Sequence, residues 1–321
     1  MSITHLLIRH LTRFVYSDAI KENIMELRMR PLEDDRQQCH DFKLKIRPKA
    51  ETLSYVDNWG NTVHHFNIPQ PHKRLEITSE TKIGLRMPPP LPDSLPHDAW
   101  QTIDEVANAD HWHFVHDSQF ITQTEQLRAF SAELNLSRND DPLTTLRQLN
   151  TALYNAFDYD QTQTSVDSTI DVALAARGGV CQDFAHIMIA LVRGLGIPCR
   201  YVSGYLVRQL DVPSDERSAE DESHAWVEAW LPDLGWTGFD PTNNIIDEGR
   251  HVRVAVGRDY ADVPPTRGVF TGSAQTELSV GVYIGETDAP APQSAELLPA
   301  LAWQVAEQSA DSQWQVQQQQ Q

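Results

Sequence analysis

The chain has 321 residues, of which 40% are hydrophobic, enough to bury one large core or two modest ones. Its formal charge of −19 argues against nucleic acid and against an anionic membrane surface as partners. Three cysteines, an odd and small number, make no disulfide framework, and the first twenty residues hold only a short "LLI" before Arg9, His10 and Arg13, which is no signal-peptide core. No segment approaches a membrane span, so the expectation is a cytoplasmic protein with free thiols.

Residues 1–86 read as an antiparallel β domain. "THLLIRHLTRFVY", "IMELRMRP", "DFKLKIRP", "TLSYVDNWGNTVHHFNI" and "KRLEITSETKIGLRM" alternate in part and are bounded by Pro, Gly, Asn or Asp, with "DNWGN" as a hairpin tip. "MPPPLPDSLP", residues 87–96, can continue neither strand nor helix and is a linker.

Over 97–285 the period changes. "TQTEQLRAFSAELNL" and "DPLTTLRQLNTALYNAFDYD" read as helices, the second with Asp140 or Asp141 as cap and Pro142 in its first turn. "CRYVSGYLV", "HAWVEAWL", "WTGFD" and "HVRVAVG" read as strands, and "TELSVGVYIGE" as the last strand of this unit. Helices followed by strands give an α+β fold class. Residues 286–321, rich in Ala, Pro, Ser and Gln, are expected to be disordered.

Between these elements lies "RGGVCQDFAHIMIALVRGLGIPC". Phe184, Ile187, Met188, Leu191, Val192 and Leu195 mark one face of a helix that Gly194, Gly196 and Pro198 stop. Cys181 falls at its first turn, behind Gly178 and Gly179, where free N–H groups and the helix dipole favour a thiolate. Position alone leaves Cys181 open between a buried small hydrophobe and a nucleophile. Cys39 and Cys199 have no glycine turn and helix start before them.

A cysteine nucleophile needs a base and a group that orients the base. In "SHAWVEAWLPDLGWTGFDPTNN", His224, Trp226, Glu228 and Trp230 share one face of a strand. A hairpin centred on residues 233 and 234 returns Trp236, Gly238 and Asp240 on the same face, with Asp240 approximately opposite His224. A carboxylate on one imidazole nitrogen would leave the other to face a thiol.

"GGVCQDFA", "GIPCRYVSGYL", "SHAWVEAWLPDLGWTGFDPTN" and "HVRVAVGRDYADVPPTRGVFTG" together resemble the bacterial transglutaminase-like proteins, over roughly residues 1–285 and most densely from 177 to 272. The resemblance implies a papain-like core behind an N-terminal β domain. It also implies a thioester acyl-enzyme and a peptide or protein amide substrate. Cys181 would be the nucleophile, His224 the general base and acid, and Asp240 the orienting carboxylate. Hydrolysis is the expected outcome over transfer to an amine, and the rival reading is a non-catalytic peptide-binding module on the same fold.

Other residues are weighed beside these. His111, His113 and His116 lie within six residues, but no carboxylate or cysteine spacing completes a site, so neither metal nor cofactor is expected. His186 reads as packing, Glu228 shares the His224 face with support of that ring only the lesser alternative, and Tyr205 and Trp226 read as either pocket wall or core. The backbone N–H of Cys181 is the expected oxyanion donor. Six acids and one Arg between Asp211 and Glu222 read as a solvated loop, with a substrate-facing lid as the alternative.

Overall fold

One long strand organises the first part of the chain. The computed structural model describes residues 3–138, 140–207, 223–246, 249–287 and 314–318. Strand β1, Ile3–Leu27, takes up both of the first two expected strands. Along its first half it pairs antiparallel with β5 (His72–Arg86) and β14 (Thr276–Glu286). Along its second half it pairs with β4 (Thr62–Ile68) and β13 (Thr266–Thr271). The join between the halves is the polar run Ser17–Glu22, where the registers shift and Glu22 takes a φ of 51°. Only Ile20 of that run is buried, so the strand bends where little apolar surface holds it flat. β2 (Gln37–Arg47) lies outside β5, and β3 (Leu53–Val56) outside β4.

The β3–β4 tip is the expected "DNWGN". Asp57 Oδ1 accepts from the N–H groups of Trp59 and Asn61, and Gly60 takes a φ of 87°.

The linker leads into α1 (Ala99–Ala109), which the sequence left unmarked because its buried stripe is only Ala99, Ile103 and Ala107. Then come α2 (Glu125–Glu133), capped by Thr124, and α3 (Pro142–Ala156). Asp141 is the α3 cap, accepting from Leu143 and Thr144 N–H, and it also holds the linker through Leu95 N–H at 3.0 Å. The short strand β6 (Asp158–Tyr159), helix α4 (Ile170–Ala176) and β7 (Gly178–Gly179), paired parallel with β6, deliver the chain to α5, Cys181–Gly194.

Helix α5 is buried along nearly its whole length, against α2, α3, α4 and one sheet face. That sheet has the order β11–β10–β9–β8–β12, from β8 (Cys199–Leu206), β9 (His224–Leu231), β10 (Gly235–Asp240), β11 (Ile245–Ile246) and β12 (His251–Gly257). Ala225, Val227, Ala229 and Leu231 share the core with α5, and the alternate residues Trp226 and Glu228 take the other face. The fold is thus α+β, as the sequence pattern indicates, and no helix among the described residues is long and apolar enough to cross a membrane.

Two expectations give way here. "TELSVGVYIGE" does not close the helical unit. As β14 it pairs with β1 from Leu6 to Tyr16, and β13 also joins the N-terminal sheet, so the unit expected to run to 285 returns its last two strands to the first. The apolar edge of β1 needed a partner that local sequence could not assign. In the tail expected to be disordered, β15 (Trp314–Gln318) pairs with β13, while 288–313 and 319–321 lie outside the described residues.

β12 is an edge strand, and side chains of the N-terminal unit close its open side. Gln37 exchanges both hydrogen bonds with the backbone of Arg253, Nε2 to O at 2.7 Å and N to Oε1 at 2.9 Å. Asn61 does the same at Val256, both bonds at 2.8 Å. Two carboxamides therefore act as strand fragments on an edge that would otherwise bury unpaired backbone. Asn61→Leu should orphan the N–H and C=O of Val256 and lower stability by about 2–4 kcal/mol, measured by urea unfolding. A loss below roughly 0.5 kcal/mol, the usual size of a surface change, would show that the edge does not depend on this amide.

Candidate active site

Cys181 opens α5 because of what precedes it. The Asp183 carboxylate folds back so that Oδ2 accepts from Val180 N–H at 2.9 Å and from Thr164 Oγ1 at 2.6 Å. A Cβ on Gly179 would lie 2.4 Å from that same oxygen, so glycine is required for the cap to close. Burial raises the pKa of Asp183, opposed by its two hydrogen bonds. The result holds Cys181 at the helix start with 2% of its surface exposed. Near it lie the buried phenols of Tyr201 and Tyr260, whose pKa values burial raises first; Cys181 raises that of Tyr201 further, and Asp167 and then Cys181 that of Tyr260.

His224 starts β9, and Asp240 ends β10. The hairpin pairs Trp230 with Trp236 and Val227 with Phe239, which sets Asp240 diagonal to His224 on one face rather than directly across. Nε2 of His224 donates to Asp240 Oδ2 at 2.7 Å. Nδ1 is buried, and among the described residues no bond of ordinary geometry closes on it, so it is the nitrogen left for Cys181. Burial disfavours the charged ring, but Asp240 and then Cys181 outweigh it and push the His224 pKa up to about 10. Asp240 is fully buried, which by itself opposes its charge, yet His224 and His251 hold its pKa well below the usual carboxylate range. The structure therefore brings Cys181, His224 and Asp240 together, with Nε2 of the ring committed to the carboxylate, an arrangement able to move a proton between a thiol and an imidazole.

Two further residues complete the surroundings of Asp240. His251, at the start of β12, meets the same Oδ2 through Nε2 at 3.2 Å, and Asn243 Nδ2 donates to it at 2.9 Å. Oδ1 accepts from the N–H groups of Thr242 and Asn243. The Asx-type turn of "DPTN" could signal Asn243. His251 carries no linear signal, because only the pairing of β12 with β8 brings it to the site. Atoms of His224, Asp240 and His251 capable of binding a metal all lie within 4.8 Å of one another. The shared oxygen is ringed by three nitrogens, two from imidazoles and one from an amide, which reads as a hydrogen-bonded carboxylate rather than a donor set aimed at an ion.

The remaining candidates divide. Trp226 stacks on His224 with ring centroids 6.0 Å apart and lies tilted against His251 at 4.7 Å, whereas Trp230 packs against His111. Tyr205 is core, with its hydroxyl 2.9 Å from His10 Nδ1 of β1. Glu228 Oε2 is bound by Arg200 Nε and Nη2 at 2.8 and 2.6 Å. His186 packs on Phe120, and its Nε2 accepts from Tyr260 N–H; burial lowers its pKa to about 4. His111 meets Trp236, His113 meets Trp59 and His116 stacks on Trp112. The acidic segment after β8 lies outside the described residues.

Residues 129–241 match the transglutaminase-like superfamily, and residues 6–83 match the bacterial transglutaminase-like N-terminal region. An uncharacterized protein of Mycobacterium leprae is 32% identical over 275 residues, covering 86% of this chain and 96% of the relative. The chain belongs to the transglutaminase-like superfamily.

A solved structure from Cytophaga hutchinsonii, described as a candidate cysteine protease, superimposes with a TM-score of 0.66 at 18% identity, over 99% of this chain and 100% of the other, and so shares the fold. A protein-glutamine gamma-glutamyltransferase of Pseudomonas aeruginosa is 34% identical over 107 residues, 32% of this chain and 16% of that protein. This transglutaminase-like chain carries its matching core across α2 to β10, the span that holds Cys181, His224 and Asp240.

The sign of the pH dependence follows from the raised His224 pKa. A group whose folded value exceeds its ordinary 6.5 stabilises fully below pH 6.5 and loses that contribution as pH rises toward 10. The depressed Asp240 contributes above its ordinary 3.8. The Tm difference between wild type and Asp240→Asn should therefore be widest from about pH 4 to 6.5 and shrink toward pH 10. A difference that is flat, or grows with pH, would contradict the ion pair.

Proposed function

We propose that the protein is a cysteine enzyme acting on a peptide or protein amide through a thioester at Cys181. The observation that carries this reading is the 2.7 Å bond from His224 Nε2 to Asp240 Oδ2, which leaves Nδ1 for the thiol. In the proposed sequence the thiol proton already rests on His224, as the raised pKa of the ring requires, and the thiolate attacks the amide carbonyl carbon. The resulting oxyanion is met by the backbone N–H of Cys181 at the start of α5. The C–N bond then breaks as His224 returns its proton to the leaving amine. Water, deprotonated by His224, attacks the thioester, and the acid leaves as the thiol is regenerated. Asp240 keeps the ring in the tautomer and orientation that both halves need.

We favour water over an amine as the second acceptor. Transfer needs a site that excludes water or binds the amine. Of the two tryptophans that share the His224 face of β9 and could shield a thioester, Trp226 stacks on His224 while Trp230 turns to His111. The glutamyltransferase relative is the reason to test transfer beside hydrolysis.

Screening peptide and isopeptide libraries with excess labelled primary amine tests the reading. Acid or cleaved peptide should form faster than the amine adduct; the reverse would make the protein a transferase. Cys181→Ala and His224→Ala should lower turnover by roughly 10⁴-fold or more, and Asp240→Asn by roughly ten- to a hundredfold less than either. Near-wild-type turnover in His224→Ala would show that another base serves.

A further inference from the structure

A half-exposed segment outside the core grips the turn that carries Cys181 from both flanks. Residues 160–168 connect β6 to α4. Ahead of Cys181, Asp160 N–H donates to Gly179 O at 3.0 Å, and Gln163 Oε1 lies 2.6 Å from where a Cβ on Gly178 would sit. Behind it, Gln182 Nε2 donates to Val166 O at 2.9 Å, and Thr164 Oγ1 donates to Asp183 Oδ2 at 2.6 Å. The segment is held in shape by its own polar groups. Asp160 Oδ1 accepts from the N–H and the hydroxyl of Thr162, and Ser165 and Ser168 exchange two bonds.

Thr164 differs from the other contacts because its partner titrates. Asp183 is 4% exposed, and a carboxylate so buried stays ionised only as far as hydrogen bonds replace its lost hydration. Among the described residues it makes no ion pair, and its donors are Thr164 and Val180 N–H. Burial raises its pKa, and both bonds pull the other way. The other titratable groups on the elements packed here are Cys181, His224, the Tyr201 phenol, Asp158, Asp160 and Asp167, while Arg177 after α4 is bound to Glu133. The charge on Asp183 draws in the Val180 N–H, one peptide ahead of the Cys181 N–H that the proposed mechanism gives to the oxyanion. A protonated carboxyl loses that pull and sets an O–H of its own against a backbone donor.

We propose that Thr164 is a positioning residue for the nucleophile, which by donating to Asp183 keeps the start of α5 closed and Cys181 set against His224. The role rests on Cys181 being the nucleophile of the proposed function. Its test reads the thiol itself and needs no turnover.

The rate of Cys181 alkylation by iodoacetamide is followed by peptide mass mapping of the full-length protein from about pH 5 to about pH 8, with Cys39 on β2 as internal control. Removing the Thr164 hydroxyl removes a bond to the charged form, so the Asp183 pKa rises further and the defect belongs at low pH. Thr164→Val should react at Cys181 about tenfold more slowly than wild type at about pH 5 and within about twofold of it at about pH 8. Thr164→Ser should restore the wild-type profile, and Cys39 should react alike in all three proteins. Equal rates in Thr164→Val and wild type, a loss of the same size at every pH, a Cys39 rate that changes in step, or no rescue by serine would overturn the assignment. The Thr164 dependence in a protein that turns over no amide would keep the assignment and remove the acyl-enzyme reading. Turnover without that dependence would do the opposite.

Discussion

A fully buried carboxylate that stays charged constrains this half of the molecule more than any other single group. Asp240 has no exposed surface, and an isolated carboxylate there would protonate rather than remain an anion. It is held by two backbone N–H groups, the amide of Asn243 and the rings of His224 and His251. Those donors come from β9, the turn after β10 and the start of β12, so satisfying one oxygen pair fixes how three segments meet. Removing a donor would leave the remaining charge under-satisfied in a region of low dielectric.

The same constraint explains why the N-terminal sheet matters to the site. His251 reaches Asp240 only if β12 keeps its place at the sheet edge, and that edge is closed by Gln37 and Asn61. The hydroxyl of Tyr205 on β8 contacts His10 of β1, adding a second tie between the units. On the opposite face α5 is fixed by the core it shares with β9, and its first residue is set by the Asp183 cap and Gly179. The N-terminal unit thus braces β12, whose His251 holds the carboxylate, and packs Leu32 and Trp59 against the cluster that contains Trp226.

Much of this could be read from the sequence where the signals are local. The stripe from Phe184 to Leu195, the Asp141–Pro142 start of α3, the "DNWGN" tip and the alternation of His224 to Trp230 each encode structure within a few residues. The even register of the β9–β10 hairpin was enough to put His224 and Asp240 on one face, although a shift of two positions made them diagonal. Long-range pairing was not legible. β14 looks like the end of the unit it follows but closes onto β1, and His251 reads as an ordinary strand start until β12 is placed beside β8. Helix α1 escaped notice for a different reason: a stripe of two alanines and one isoleucine is a weak hydrophobic signal, and contact with α5's surroundings supplies what propensity does not.

The central claim is that Cys181 and His224 act as one proton-sharing pair, with Asp240 holding the ring. The direct measurement is a nitrogen NMR titration of the His224 ring in wild type and in Cys181→Ala. The account predicts that the wild-type ring keeps its proton well above pH 6.5, with a pKa near 10, Nε2 protonated throughout, and a pKa that falls when the thiol is removed. A ring that titrates at or below 6.5, or one whose titration is the same in both proteins, would contradict it.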